Sequence, residues 1–451
     1  MSTIRSWTLF VSLTLAAPAA CKSPSRETSP GATPSGQQAA LATDGAGSGF
    51  AQPPPGDPHQ AGAAGWKMAV KPKTLSAQVE KGLSWLVAHQ LPNGGWGQGD
   101  ESAQMAQNTQ AVDGTANVLD TANVADTAMA VLALMRAGST GAEGPYREPI
   151  RRGIAYILSE VEASDEQSLF VTGIRGTRVQ GKIGTYVDTF NSLIVLTEAK
   201  GKMASKAENE RLQAALSKVL RKVERNQQQD GTWDNQGWAP VLTQSMAAKG
   251  LNRAAQAGED VPADTLRKVE AQARTQFDAS SGSFAPSGAA GVELYAGAAN
   301  SASLRDSMTT RKTKEGKLRQ DLAKASTPAE RQAVEQELDD NKQAERATLA
   351  AEQSLLVRLD DPAFIQGFGN NGGEEFLSYM LVSEAMLAKG GNDWTSWDAK
   401  ISNLVNRVQN GDGSWTGHHC ITGRTFCTAA ALLVLMADRT PVPVASQIKH
   451  G

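Results

Sequence analysis

Scarcity is the first informative feature of this sequence. Its 451 residues include three cysteines, and its 44 lysines and arginines are offset by 47 aspartates and glutamates. Because no basic stripe stands out from this slightly acidic balance, nucleic acids and other polyanions are poor candidates as partners. Patterns typical of β-strands are also nearly absent. The chain is long enough for a large core, and that core must be built mainly from helices.

The N-terminus has the composition of an export signal. Arg5 precedes an apolar run, residues 7–17, that is too short to cross a bilayer. Cleavage after the Ala-Pro-Ala segment would release a secreted chain, whereas cleavage before Cys21 would leave a cysteine for lipidation. We favour lipidation, because only lipidation explains a cysteine at that point. Residues 1–21 are therefore predicted to be the signal peptide of a bacterial lipoprotein.

The segment that follows, residues 22–65, is rich in Ser, Pro, Gly, Ala and Gln and has almost nothing to bury. It is predicted to be a disordered linker. The expected location is the bacterial cell envelope, where a membrane-anchored chain faces the periplasm or the exterior. Residues 441–451 are predicted to be a short C-terminal tail.

Between these ends, a unit of two helices recurs at intervals of roughly 50 residues. The first helix of each unit is amphipathic, and a Gly-rich turn leads to a more apolar second helix such as NVADTAMAVLALMRAG or TAAALLVLMA. A helix that is apolar around most of its circumference has neighbours on several sides. The pattern predicts an inner ring of buried helices inside an outer ring of amphipathic ones.

The turn between the two helices carries the clearest signature. Three copies place a Gln near the end of the first helix and a Trp just after a Gly; the residues are Gln90 and Trp96, Gln229 and Trp233, Gln409 and Trp415. We expect the Gln amide to bind orphan backbone groups at the helix end, the Gly to adopt a positive φ, and the Trp to pack over the turn.

These copies resemble the QW repeats of the terpene cyclase and protein prenyltransferase superfamily, which includes the squalene cyclases. The resemblance implies an all-α fold, an α/α toroid of about five to six helical hairpins, over residues 66–440. It also implies two chemistries that can be sought in the sequence, the acid of the cyclases and the zinc of the prenyltransferases.

One segment, residues 302–356, does not follow the repeat. It is dominated by Lys, Arg, Glu, Gln and Ala, and Thr327, Pro328 and Glu330 form the start signal of a new helix. We expect an inserted, charged helical hairpin. Its many charges and few heptad apolar positions favour a solvated spacer over a partner-binding coiled coil.

Neither chemistry of the superfamily has its motif. Squalene-hopene-type cyclases protonate substrate with the middle acid of Asp-x-Asp-Asp, and the best match, NVADTA, places Asn123, Ala125 and Asp126 at those positions. Prenyltransferase β subunits hold zinc with Asp-x-Cys and a distant His, and no Asp-x-Cys occurs in this chain. The resemblance therefore predicts the fold without the usual activities, and whether the protein is an enzyme is left open.

A concentration of reactive side chains remains in residues 418–424, just before the last inner helix. His418, His419, Cys420 and Arg424 are expected at the rim of the ring, where carboxylates from other repeats could join them. These carboxylate candidates are Asp126, Asp188, Glu374 and Glu375. Zinc accepts His, Cys and carboxylate ligands, so His418, His419 and Cys420 are candidate zinc ligands. No other cofactor is indicated.

The two cysteines of this region have three alternative fates. Cys420 and Cys427 could form a disulfide, which requires a loop between them, because eight helical residues would hold their Cα atoms ~10 Å apart. They could be buried thiols, or a thiol could serve a metal or a reaction. The export context favours the disulfide.

Two functions follow. One is a non-catalytic envelope protein that binds a glycan, peptide or apolar ligand in or at the rim of the ring, with the membrane reached through its lipid anchor. The other is an enzyme acting on an isoprenoid or other apolar substrate with a His/Cys rim site. A polysaccharide-active toroid is a further alternative, because one fold serves many chemistries.

Overall fold

The computed structural model describes residues 66–99, 120–369 and 371–443. Helices within these residues fall into six pairs, each with an outer helix followed by an inner one. The outer helices are α1 (Ala77–Ala88), α3 (Arg147–Ala163), α6 (Lys206–Arg225), α8 (Ala263–Thr275), α10 (Pro328–Arg358) and α13 (Gly391–Arg407). The inner helices are α2 (Val124–Arg136), α5 (Val187–Ala199), α7 (Pro240–Gln256), α9 (Glu293–Lys324), α12 (Gly373–Lys389) and α14 (Arg424–Leu435).

The six inner helices form a closed ring. Each contacts the next, and α14 returns to contact α2. Short helices α4 (Arg178–Ile183) and α11 (Pro362–Gln366) and a 3-10 turn (Ala437–Arg439) complete the helical elements described. The predicted all-α, α/α toroid is confirmed, with six hairpins.

Two small strand pairs accompany the ring. Strand β1 (Trp66–Met68) pairs antiparallel with β4 (Pro441–Pro443), so the two ends of the described chain lie side by side. Strands β2 (Phe277–Asp278) and β3 (Ser283–Phe284) form a short hairpin in the fourth pair.

Burial explains the difference between the two classes of helix. All thirteen residues of α5 are buried, polar ones included, because α5 is surrounded by its neighbours in the ring and by α6. Helix α6 instead buries one face, which includes Leu212, Leu216 and Val219, and exposes a highly charged one. Small residues allow the inner helices to approach closely: a Cβ on Gly250 would lie 2.9 Å from the Leu193 side chain.

The tryptophans of the turns terminate the outer helices. Each indole Nε1 donates to a carbonyl ten residues earlier in the last turn of the preceding outer helix: Trp96 to Leu86 at 2.7 Å, Trp233 to Val223 at 2.9 Å, Trp415 to Val405 at 2.8 Å. All three rings are buried. The carbonyls that a helix leaves orphaned at its end therefore find a donor in the turn. The glycines of the three turns, Gly94, Gly231 and Gly413, have φ between 84° and 93°.

The glutamines act differently from the expectation. Gln90 Nε2 donates to Gly94 O at 2.8 Å and to Pro149 O at 2.9 Å, which lies in the first turn of the next outer helix. Gln409 Nε2 makes the same pair of bonds, to Gly413 O and Gln78 O. The Gln thus joins neighbouring repeats, whereas the Trp caps the helix.

In the second copy of the turn, the Gln that bonds to the next repeat is Gln227 and not Gln229. Gln227 Nε2 donates to Thr265 O at 3.2 Å, and Gln229 is exposed. The reason is register: Gln90 and Gln409 stand six residues before their Trp, and Gln227 has this spacing to Trp233.

The charged hairpin is built from α9 and α10, which meet at residues 325–327. Helix α9 begins at Glu293 and runs without interruption through the predicted start at 302, so one helix is both the fourth inner helix and the first arm. Thr327 and Glu330 form a capping box at the start of α10. A buried ion pair between Arg305 and Glu352 joins the two arms near the ring. The insertion is therefore continuous with the core.

None of the helices in the described part of the chain combines the length and apolarity that crossing a bilayer requires. The predicted signal peptide, Cys21, the linker at 22–65 and most of the tail lie outside the described residues.

Candidate functional site

The two ends of the ring differ. We call the end where the inner helices begin the mouth; there the first turn of α12, with Glu374 and Glu375, faces residues 416–423. We call the opposite end, where the inner helices finish, the closed end. The candidate residues predicted from sequence fall at the mouth, and the structure separates those that converge from those that do not.

Glu375 lies at the centre of a hydrogen-bond network. Its Oε1 accepts from the Tyr295 hydroxyl at 2.5 Å and from the Phe368 amide at 2.9 Å. Its Oε2 accepts from the Gly372 amide at 2.9 Å, and His419 Nε2 lies 3.2 Å away. Burial, together with the carboxylate of Glu375, raises the pKa of Tyr295. Glu375 is thus fully buried, accepts hydrogen bonds at both oxygens and is held in one orientation.

Glu374 is buried but incompletely bonded. Its Oε2 accepts from the Ile421 amide at 3.2 Å, while Oε1 has no hydrogen-bond partner among the described residues. Burial, reinforced by the neighbouring charge of Glu375, raises the pKa of Glu374 to about 8. A buried oxygen without a partner is costly, so this carboxyl is the exceptional group of the mouth.

His419 completes a cluster of three possible metal ligands. One ligand atom from each of Glu374, Glu375 and His419 lies within 4.8 Å of the others. The His419 side chain is 12% exposed, so the cluster opens to solvent on its side. His418 is exposed, and its backbone amide donates to Asn371 O at 2.7 Å. The two adjacent histidines therefore point in different directions, and only His419 faces the carboxylates.

Aromatic rings border the cluster. Phe368 stands edge-on to His419 with ring centroids 5.2 Å apart, and Trp238 contacts both Phe368 and Tyr295. Phe368 and Trp238 are half-buried and so present part of their rings to the mouth. Sequence reasoning did not select Tyr295, Trp238 or Phe368. Each comes from a different repeat, and the only signal available was an aromatic residue near the start of an inner helix.

Asp126 and Asp188 accept hydrogen bonds at the starts of the inner helices. Asp188 Oδ1 accepts from the Ala125 amide at 2.9 Å, and its Oδ2 accepts from Gln180 Nε2 at 2.7 Å. Asp126 Oδ2 accepts from Asn123 Nδ2 at 2.6 Å. Both are buried, and burial raises the pKa of Asp188. Neither belongs to the Glu374, Glu375 and His419 cluster. Ala125 stands at the position of the cyclase acid and contributes only its backbone amide.

Arg424 lies away from the cluster. Its guanidinium pairs with Asp412, donates from Nε to Ser414 Oγ at 3.1 Å, and lies 5.0 Å from the centre of the Trp85 ring. These partners belong to the last turn and to α1. Arg424 therefore lies at the mouth, at the start of α14, but an acidic residue of its own turn holds its side chain away from the cluster.

The cysteines do not form the predicted pair. Cys427 is a buried thiol in the first turn of α14, with its Sγ 3.6 Å from Ile421 O. Cys420 is disulfide-bonded, in a loop where its own φ is 49°. Cys427 keeps its thiol, so it is not the partner of Cys420. The remaining cysteine of the chain, Cys21, lies outside the described residues. A disulfide-bonded Cys420 is not available as a zinc ligand.

The closed end is filled by buried ion pairs. Arg136, the last residue of α2, donates to both oxygens of Glu198, one at 2.8 Å, and lies 3.7 Å from Glu384. Lys249 pairs with Glu384 at 2.8 Å and with Asp306 at 3.0 Å. These residues come from five different inner helices, and α7 also contacts α12 across the ring. The ring is thus crossed by charged side chains below its mouth.

Comparison with known proteins bears on the fold. Residues 64–174 match the family described as the squalene-hopene cyclase C-terminal domain. The chain carries a squalene cyclase-like repeat domain. The matched region holds the first outer and inner pair and α3, and the same turn recurs in the cyclase-like ring beyond it, at Trp233 and Trp415. No curated protein matches the chain.

Proposed function

We propose that this cyclase-like repeat protein is an extracytoplasmic binding protein that takes its ligand at the mouth of the ring, without the usual cyclase or prenyltransferase chemistry. The observation that carries the proposal is the cluster of Glu374, Glu375 and His419. Glu375 supplies a carboxylate held in one orientation, and Glu374 supplies a buried oxygen that has no partner among the described residues. His419 supplies a partly exposed imidazole.

The closed end supports binding at the rim over binding deep in the ring. A long apolar substrate inside the ring would have to displace Arg136, Glu198, Lys249 and Glu384, which are buried and paired with one another. Exposing apolar substrate to buried, unpaired charges is unfavourable. Trp238 and Phe368 offer apolar surface only at the mouth, so the expected ligand has an apolar part and a polar group that reaches the cluster.

We further propose that zinc is the partner of the cluster. His and carboxylate are accepted zinc ligands, and a site with three protein ligands leaves a coordination position for the ligand. The ligands would be His419 Nε2, Glu375 Oε2 and Glu374 Oε1, which is the oxygen left without a hydrogen bond to any described residue. Zinc bound there would act as a Lewis acid that holds a donor atom of the ligand.

The test uses zinc alone as the probe. Purified protein stripped with EDTA is titrated with zinc against a chromogenic chelator, and bound metal is counted by mass spectrometry. We expect one zinc per chain, and a loss of affinity exceeding about tenfold in His419→Ala and in Glu374→Gln. The matched control is His418→Ala, which changes the adjacent, exposed histidine and should bind as the wild type does.

The proposal of zinc is wrong if the wild type binds none, or if His418→Ala and His419→Ala lose affinity equally. Unfolding of each variant in EDTA separates a lost ligand from a lost fold, because a variant that has lost only a ligand should still unfold cooperatively.

The extracytoplasmic location rests on the N-terminal sequence and has its own test. Labelled fatty acid should enter the full chain, and Cys21→Ser should abolish the label. A disulfide between Cys21 and Cys420 in non-reducing peptide mapping would overturn lipidation, because an acylated cysteine cannot form one. A chain that carries no label but is found outside the cytoplasm would favour secretion, and a chain retained in the cytoplasm would overturn the location.

A further inference from the structure

The charges at the closed end do not balance among the described residues. Four cations face three carboxylates: Arg136, Lys202, Lys249 and Arg253 against Glu198, Asp306 and Glu384. Arg136 and Lys249 are ion-paired, as described above. Lys202 makes no ion pair or side-chain hydrogen bond with any described residue, although it lies close enough to Glu198, Arg136 and Arg253 to interact with their charges. Within this part of the chain, the cations therefore exceed the carboxylates by one, and neither Lys202 nor Arg253 has an ion-pair partner.

A small cavity lies beside Lys202. Its volume is about 20 Å³, and Thr197, Lys202, Trp66 and Pro441 are among the residues that line it. A cavity of roughly 10–15 Å³ on this scale holds one water-sized particle. The space thus admits a water or a monatomic ion, and it lies where the strand pair of β1 and β4 covers the ring.

Hydrogen-bond donors without acceptors lie in the lining of this cavity and next to it. Thr197 Oγ1 is buried and has no partner among the described residues, although a threonine inside a helix commonly bonds to its own backbone. Arg253 Nε is likewise buried and lacks a partner within the same residues. Arg253 is held against two cavity residues, because its Nη1 donates to Pro441 O at 2.5 Å and its guanidinium lies 4.7 Å from the centre of the Trp66 ring.

The carboxylates nearby are already engaged. Both oxygens of Glu198 accept from Arg136, and Lys200, another cavity residue, is paired with Glu259. The Thr197 hydroxyl and the Lys202 ammonium therefore remain as donors in the cavity lining, and the Arg253 Nε–H remains as a donor beside it. A water molecule would accept hydrogen bonds from these donors but would leave the excess positive charge, whereas an anion would accept the hydrogen bonds and also neutralise the charge.

We propose that the closed end binds a monatomic anion, chloride, between Thr197, Lys202 and Arg253. The site is independent of the mouth and goes beyond the function proposed for it. The ion would tie α5 and α7 to the strand pair that covers the closed end, and it would stabilise the folded chain in proportion to its occupancy.

The experiment is a thermal unfolding series on the full chain in chloride-free buffer. Chloride replaces gluconate, which is too large to enter, at constant ionic strength, so general screening is unchanged. We expect Tm to rise with chloride and to saturate, and bromide, the next halide in size, to act in the same way. Equal Tm in chloride and gluconate would overturn the proposal and leave the cavity to water.

Two substitutions locate the effect. Lys202→Met removes the unpaired charge and should raise the chloride concentration at half-effect by about tenfold or more, and Thr197→Val should raise it by a smaller factor. The control is Lys206→Met, which removes one exposed lysine on the next helix and should leave the titration unchanged. If either cavity variant fails to fold, the chloride-35 NMR signal is measured with the wild type. Line broadening that competing iodide reverses would support the site, and the absence of broadening would refute it.

Discussion

Removal of Arg136 should reveal how strongly the closed end depends on its ion pairs. Arg136 and Glu198 are about 5% and 6% exposed, so neither charge can be compensated by bulk water. Replacing Arg136 leaves both oxygens of Glu198 without their ion-pair partner, and breaking a buried pair in this way typically costs about 3–5 kcal/mol. We expect Arg136→Met to lose stability in that range. The double change Arg136→Met with Glu198→Met removes both charges and should recover a large part of the loss.

The pH dependence has a definite sign. Arg136 holds the pKa of Glu198 at about 2 despite burial, below its usual value of 4.5. A depressed carboxyl pKa contributes stability that is present above pH 4.5 and is lost as the pH falls towards 2. The stability difference between the wild type and Arg136→Met should therefore be largest near neutral pH and should shrink between pH 4.5 and pH 2.

Urea unfolding at fixed chloride concentration measures these differences. The control is Arg319→Met, which removes an exposed arginine paired with Glu315 one helical turn away and should cost less than about 1 kcal/mol. A loss of under about 1 kcal/mol for Arg136→Met would refute the reasoning, because a desolvated pair cannot be removed so cheaply. A double variant no more stable than the single one would show that packing, not charge, dominates at this position.

Three further expectations concern other parts of the ring. Trp415→Phe keeps most of the buried ring but removes the donor to Val405 O, and it should cost about 1–3 kcal/mol in urea unfolding, with Trp96→Phe behaving alike; an unchanged midpoint in both would contradict the capping role. In EDTA, the stability of the wild type should fall as the pH rises from 4.5 towards 8, because folding raises the pKa of Glu374 to about 8. Glu374→Gln should remove that decline, whereas the control Glu335→Gln, at an exposed position, should keep it. Peptide mapping under non-reducing conditions should yield no fragment in which Cys420 is bonded to Cys427, and recovery of such a fragment would contradict the buried thiol of Cys427 in α14.

The fold was predictable because each repeat carries its own local signals. Three short-range features recur in the repeats: an amphipathic outer helix, an apolar inner helix, and a Gly before a buried Trp. Because they recur, a repeat recognised in one place allows the others to be recognised. The start of the inserted hairpin was not predictable in the same way. Residues 293–324 favour helix throughout, and nothing in the sequence marks where the buried part, which ends near Thr310, becomes the projecting arm.

The site was only partly predictable, for a related reason. Glu374, Glu375 and His419 were selected because they precede inner helices or begin them, and the structure brings them together. The same rule selected Asp188 and Arg424, whose roles depend on partners that no pattern names: the Ala125 amide of another repeat and Asp412 of the same turn. Position in a repeat indicates which end of the ring a residue occupies, whereas its bonding partner depends on packing between repeats.

The bond from Gln409 to Gln78 has a consequence for the topology of the chain. It is the same bond that Gln90 makes to Pro149 between adjacent repeats, and β1 pairs with β4 to bring the ends of the described chain together. The joint between the last and first units therefore differs little from an interior joint, and the ring could be opened at another joint without changing its contacts. A circular permutant that links residue 443 to residue 66 through a short Gly-Ser segment and opens new termini at residues 325–327 should fold into the same ring.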